Sequence, residues 1–130
     1  MKKSLLDIDT APEVSVRVES QEDKEKCTIL HCRLFCSSPS RVRVWPEACL
    51  MEDTGRECRL IHAIGIALYP QWTVAEVQDG FFYFTLVFEG LSDNCKQFFL
   101  YERIPELGGF LSQVVSRNGT DVYEVELETM

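Results

Sequence analysis

One stretch constrains this chain more than any other: Phe81-Phe82-Tyr83-Phe84-Thr85-Leu86-Val87-Phe88, bounded by Asp79-Gly80 and Glu89-Gly90. It is aromatic and β-branched almost throughout, the composition that fits a pleated, packed surface. At a period of two, Phe82, Phe84, Leu86 and Phe88 share one face. Phe81, Tyr83, Thr85 and Val87 share the other. Both faces are heavy enough to need a cover, so the run reads as a central strand. Its first set is expected in the core. Its second set is covered either by another segment of the chain, with 103–116 and the N-terminal tail as candidates, or by another chain.

The same alternation recurs along the sequence. Val14, Val16 and Val18 alternate with polar residues in a half-buried strand. From Cys27 to Cys36 the cleaner set is Thr28, Leu30, Cys32 and Leu34, which should face inward. Arg41 to Met51 puts Val42, Val44, Ala48 and Leu50 on one parity and Arg41, Arg43 and Trp45 on the other. Pro46 cannot donate to a ladder, so this element should lie at an edge or a bulge and switch sheets halfway. Glu52-Asp53-Thr54-Gly55-Arg56 suits a three-residue hairpin loop with a left-handed Gly. That register sets Leu50 opposite Cys58 and Ala48 opposite Leu60, and it separates Cys49 from Cys58. The strand from Cys58 to Ile64 breaks at Gly65, where a bulge or sheet crossing is expected. Val74–Gln78 reads as a short connector. Cys95 to Glu102 turns Phe98 and Leu100 inward. Phe110–Ser116 fits either a strand or one helical turn. Asp121 to Glu128 ends the chain with Tyr123, Val125 and Leu127 inward and three glutamates outward. About seven or eight strands and no long helix give an all-β chain, an immunoglobulin-like antiparallel β-sandwich. Residues 1–12 read as a flexible N-terminal tail and 13–130 as a single domain.

Charge and motif content exclude several functions. A net charge of −8 and a pI near 4.7 disfavour nucleic acid and anionic lipid as partners. No apolar run approaches the roughly 20 residues of a membrane helix. Lys2, Lys3, Leu5 and Leu6 imitate a secretory signal, but Asp7 and Asp9 interrupt it. The expected location is cytoplasmic, or exported if a leader was removed. The six cysteines form no CxxC pair, so buried thiols are favoured over disulfides or a metal site. His31 and Cys32 are strand neighbours that point to opposite faces, which breaks a local dyad. Asp7-Ile8-Asp9 is too little for a calcium loop, and the Gly pairs are turns rather than a phosphate cradle. The expectation is therefore no catalytic residue, no metal ligand and no cofactor.

From Val42 to Leu127 a sequence of motifs looks familiar: Asp53-Thr54-Gly55, then Leu60 to Gly65-Ile66-Ala67-Leu68-Tyr69-Pro70, then Phe84 to Glu89-Gly90-Leu91, then Phe98 to Leu100-Tyr101-Glu102. This order resembles small uncharacterised immunoglobulin-like β-sandwich domains of Bacteroides-type bacteria, some of them joined to thioredoxin-like domains. The resemblance implies the sandwich fold and no catalytic residues; many members of that family are exported. The expected function is a non-enzymatic protein–protein interaction or structural module, with a protein partner or a homodimer. The alternative is a carbohydrate- or small-ligand-binding module working through exposed aromatics. Trp45, Trp72, Phe81, Tyr83 and Tyr101 are the binding candidates, with a sugar platform placed on Trp45 or Trp72.

Overall fold

The computed structural model describes residues 26–36 and 40–130. The expected tail and the Val14–Val18 strand lie outside those residues. Within them the chain is all-β: β1 (Cys27–Phe35), β2 (Arg41–Val42), β3 (Cys49–Glu52), β4 (Glu57–Ile64), β5 (Thr73–Val74), β6 (Phe81–Glu89), β7 (Gln97–Tyr101), β8 (Phe110–Ser112), β9 (Val115–Ser116) and β10 (Val122–Thr129). The main sheet runs β3-β4-β6-β1-β10-β8-β7, and β7 pairs back onto β3, so the ladders close into a barrel. β9 adds to β7, and β2 with β5 forms a small separate sheet.

β6 holds the middle of the long side. β1 pairs along its whole length, from Cys27 opposite Glu89 to Phe35 opposite Phe81. Phe82, Phe84, Leu86 and Phe88 are buried, as their parity requires. Thr28, Leu30, Cys32 and Leu34 of β1 face them, also buried. Asp79-Gly80, both with positive φ, forms the two-residue turn that starts the strand. Gln78 and Phe81 exchange N–H···O bonds of 2.7 and 2.9 Å across it. β7 sends Phe98 and Leu100 inward, and β10 sends Tyr123 and Leu127 inward.

Three expectations need correction. The arrangement is not wholly antiparallel, because β10 runs parallel to β1 from Val122 beside Ile29 to Leu127 beside Leu34. The turn before β10 delivers Asp121 to the same end of the barrel where β1 begins, with Ile29 N–H bonded to Asp121 O at 2.9 Å. The bulge in β4 falls at Ile61, not at Gly65, since the register against β6 shifts between Leu60 and His62. β4 pairs with β3 through Glu57–Arg59 and with β6 from Leu60 onward. An extra residue at that handover supplies the added twist. Gly65, at φ +81, instead ends the strand. The Phe110–Ser116 stretch is neither one strand nor a helical turn but the two short strands β8 and β9. Around Pro46 the chain behaves as expected: β2 belongs to the small sheet and β3 to the barrel.

The Glu52–Arg56 hairpin has the derived register, with Leu50 beside Cys58. Gly55 sits at φ +94, where a Cβ would be strained. Behind the turn lies a buried carboxylate. Glu52 accepts from the Thr54 hydroxyl at 2.6 Å, the Ser92 N–H at 2.9 Å, the Arg56 guanidinium at 3.0 Å and the Cys58 thiol at 3.2 Å. Burial pushes its pKa up, but the hydrogen bonds from Thr54, Ser92 and Cys58 prevail and hold it near 2.

A carboxylate depressed in the folded state stabilises above its unfolded pKa and loses that contribution as pH falls toward its folded pKa. Glu52→Ala is expected to cost about 3 kcal/mol at neutral pH, since it orphans buried donors. Wild-type stability is expected to fall between about pH 4.5 and about pH 2. Glu52→Gln should flatten that limb. Urea unfolding across pH checks both.

Candidate functional site

At the end of the barrel where β7 stops, a cleft of about 690 Å³ opens between the small β2–β5 sheet and the 104–108 loop. Its floor is core: Leu34, Cys36, Phe110 and Leu127. One wall carries Trp45, Trp72, Arg41 and Arg43, and the other carries Ile104 and Glu106. Alternation along residues 41–45 explains the first wall. Val42 and Val44 turn toward the core, so Arg41, Arg43 and Trp45 must turn away from it.

Arg43 organises that wall. Its guanidinium carbon lies 3.8 Å from the Trp72 ring centroid, 4.6 Å from Tyr69 and 5.6 Å from Trp45. Trp45 and Tyr69 stack at 3.8 Å with 22° between their planes. One guanidinium nitrogen donates to Pro70 O at 3.3 Å, and the other to both Glu106 oxygens at 3.1 and 3.2 Å. The side chain is 11% exposed, so these attractions act largely without solvent screening. Arg41 also sits 4.8 Å over Trp72.

Beneath the wall lies a second buried carboxylate. Glu102 is 1% exposed and accepts the Trp45 N–H at 2.6 Å and the Phe110 N–H at 2.9 Å. It straps the β2–β3 connection to the start of β8. Burial drives its pKa upward, against the two backbone bonds that lower it. Gly109 makes the close approach feasible, because a Cβ there would collide with the Glu102 backbone oxygen. Two buried donors in the wall, the Trp45 indole N–H and the Arg43 Nε–H, have no acceptor among the described residues.

The five aromatic candidates separate into three places. Trp45 and Trp72 share the cleft. Phe81 and Tyr83 lie on the outer face of β6, next to Phe35 and Arg33 of β1. Phe35 and Phe81 meet edge to face at 6.0 Å, and Arg33 sits 4.6 Å over Phe81 while bonding Glu126 at 3.0 Å. Tyr101 stands elsewhere, on the outside of β7 with Phe99 and Arg103. The 103–116 segment does not cover the outer face of β6: β8 pairs with β10 and β7, and Phe110 packs on Phe84 from inside. Sequence reading missed Arg43, Glu102 and Glu106 as site residues. Arg43 alone left a trace, through its shared parity with Trp45.

Four of the six cysteines are buried, Cys49 is half-buried and Cys27 is exposed. No disulfide links the cysteines. Burial pushes the Cys32 thiol up to about 12, and burial with the Glu52 hydrogen bond does the same for Cys58. Cys49 and Cys95 are also shifted up, first by burial. His31 is exposed and bonds the Thr85 hydroxyl at 2.9 Å, opposite in facing to buried Cys32. Among the described residues no group of His, Cys, Asp and Glu could hold a metal ion, and no helix is long and apolar enough to cross a membrane. Comparison with known proteins finds no matching family model, no matching curated protein and no matching solved structure.

Arg43→Met is expected to destabilise the domain by about 2 kcal/mol, from lost ring contacts and lost bonds to Pro70 and Glu106. Arg43→Lys should recover less than half of that, because an ammonium cannot stack or bond two sites in one plane. Thermal or urea unfolding of the two variants measures the difference.

Proposed function

We propose that this chain is a non-enzymatic interaction module of immunoglobulin-like sandwich type, which binds a protein partner through the outer face of β4, β6, β1 and β10. One observation carries the reading. Phe35 is 63% exposed, Tyr83 48% and Ile64 51%, and with Phe81 they form one apolar field on adjacent strands that no described segment covers. Contiguous apolar surface of this kind is uncommon on monomers and marks contact sites. Aromatic residues dominate the energetics of such contacts. Arg33 is paired with Glu126 and His31 with Thr85, while Glu124 of β10, beside His31, leaves an exposed carboxylate for the partner to meet.

The sandwich reading treats β4, β6, β1 and β10 as one layer and β3, β7, β8 and β9 as the other. Their corners are the Ile61 bulge and the short β10–β8 ladder. The family resemblance rests on the strand motifs alone and agrees with this layering. The non-enzymatic reading is supported by Cys32, Cys49, Cys58 and Cys95, whose pKa burial raises and which are therefore poorer nucleophiles. Reduced thiols also suit a cytoplasmic location.

The test is photo-crosslinking from a benzoylphenylalanine placed at Tyr83, with Tyr101 as the control position. Sedimentation of the pure chain, of 15.0 kDa, runs beside it. The expected result is a defined partner, or a second copy, captured from Tyr83 and not from Tyr101. Phe35→Lys with Tyr83→Lys should abolish capture while changing stability by less than about 1 kcal/mol, as exposed substitutions do. A monomer that captures nothing from Tyr83 in its native lysate overturns the proposal.

A further inference from the structure

A second binding surface adjoins that face and shares Phe35 and Glu126 with it, in the cleft at the β7 end of the barrel. We propose that this cleft binds a small molecule that is not an anion, with an apolar body and a carbonyl-type hydrogen-bond acceptor.

Size and shape come first. About 690 Å³ falls within the range of small-molecule sites, and the mouths of β-barrels are a preferred place for them. The floor of Leu34, Cys36, Phe110 and Leu127 offers the apolar body a dry surface.

Charge selects against anions. The lining holds four carboxylates, Glu102, Glu106, Glu126 and Glu128, against two guanidiniums, Arg41 and Arg43. An anion is therefore repelled overall.

The unmet donors select the polar group. Buried side-chain donors without an acceptor are rare, and each costs about 1–3 kcal/mol. Among the described residues only two buried side-chain nitrogens or oxygens lack a partner, Arg43 Nε and Trp45 Nε1. Both belong to the same wall of this one cleft. Neither residue supplies an acceptor, so the missing group is an oxygen with lone pairs. Both atoms are closed to solvent, so an acceptor reaches them only as a wall side chain shifts. Trp72 is the candidate for that shift: it is held by Arg41 and Arg43 over its ring and enters none of the wall's hydrogen bonds.

A titration with prodan, a neutral naphthalene ketone, tests the assignment on the full chain. Its emission moves to shorter wavelength on leaving water. The expected result is saturable binding at one site per chain, with anilinonaphthalene sulfonate, an anionic probe of similar size, binding more weakly. Trp45→Phe keeps a ring against Tyr69 but removes the indole donor. It should weaken prodan about tenfold, the loss of one hydrogen bond, and leave dimethylaminonaphthalene, the ring without the ketone, unchanged. Absence of saturable prodan binding to the wild-type chain overturns the proposal, as does tighter binding of the sulfonate. Equal weakening of both naphthalenes by Trp45→Phe would overturn the acceptor assignment. The Tyr83 crosslinking result is independent of all three.

Discussion

The barrel depends on two buried carboxylates that fasten its opposite ends. β3 and β7 close the ring, with Glu52 opposite Phe98 at one end and Cys49 opposite Tyr101 at the other. At both ends the chain leaves its ladder and exposes N–H groups with no strand to receive them. Glu52 takes up the Ser92 N–H at the first end, and Glu102 takes up the Trp45 and Phe110 N–H groups at the second. A buried N–H left without a partner costs as much as a lost hydrogen bond. A single carboxylate can serve several such donors because it has about four lone-pair sites. The two groups then differ in a useful way. Glu52 meets a hydroxyl, a thiol, an amide and Arg56, and remains a strong acid. Glu102 meets two backbone amides in a drier place, and its acidity is weakened.

What was legible in the sequence is what a strand writes into its own residues. The inward sets of β1, β6, β7 and β10 follow from alternation alone, because a side chain's face depends only on its position along the strand. The Glu52 hairpin was equally local: Gly55 needs a left-handed φ, and the loop length then sets the register. Closure was not legible. The β3–β7 ladder joins residues 49–52 to 98–101, and nothing in either segment names the other. The parallel β1–β10 ladder is hidden for the same reason. The bulge escaped because Ile61 fits a regular strand perfectly well; only the division of β4 between two partners calls for an extra residue there.

The site shows the same division. Trp45 and Trp72 were singled out as surplus aromatics, and they do share a wall. Their partner was invisible as such, since Arg43 in isolation is one more solvated charge. Three rings around it come from two separate stretches, at 45 and at 69–72, brought together where β2 meets β5 and Val44 meets Leu68. Glu102 was hidden by its type, because a glutamate at the end of a strand is ordinarily exposed. Burial became tolerable only through two backbone donors, and those belong to residues 57 and 8 positions away.

Phe81–Phe88 carries both halves of this logic. Its inner set answers to the fold: Leu86 and Phe88 are fully buried, and β1 and β4 hold the strand on both edges. Its outer set answers to nothing in the described chain. Tyr83 gains no stability from facing water, and β-branched or aromatic residues on an open face are a liability for association. A polar residue at 83 would serve the barrel as well. The aromatic residue there, beside Phe35 and Phe81, is the feature on which the proposed partner contact rests. That is the physical ground for proposing recognition on this side, while the proposal for the cleft at the barrel's end starts from a different need, an acceptor for two donors that the described residues leave unmatched.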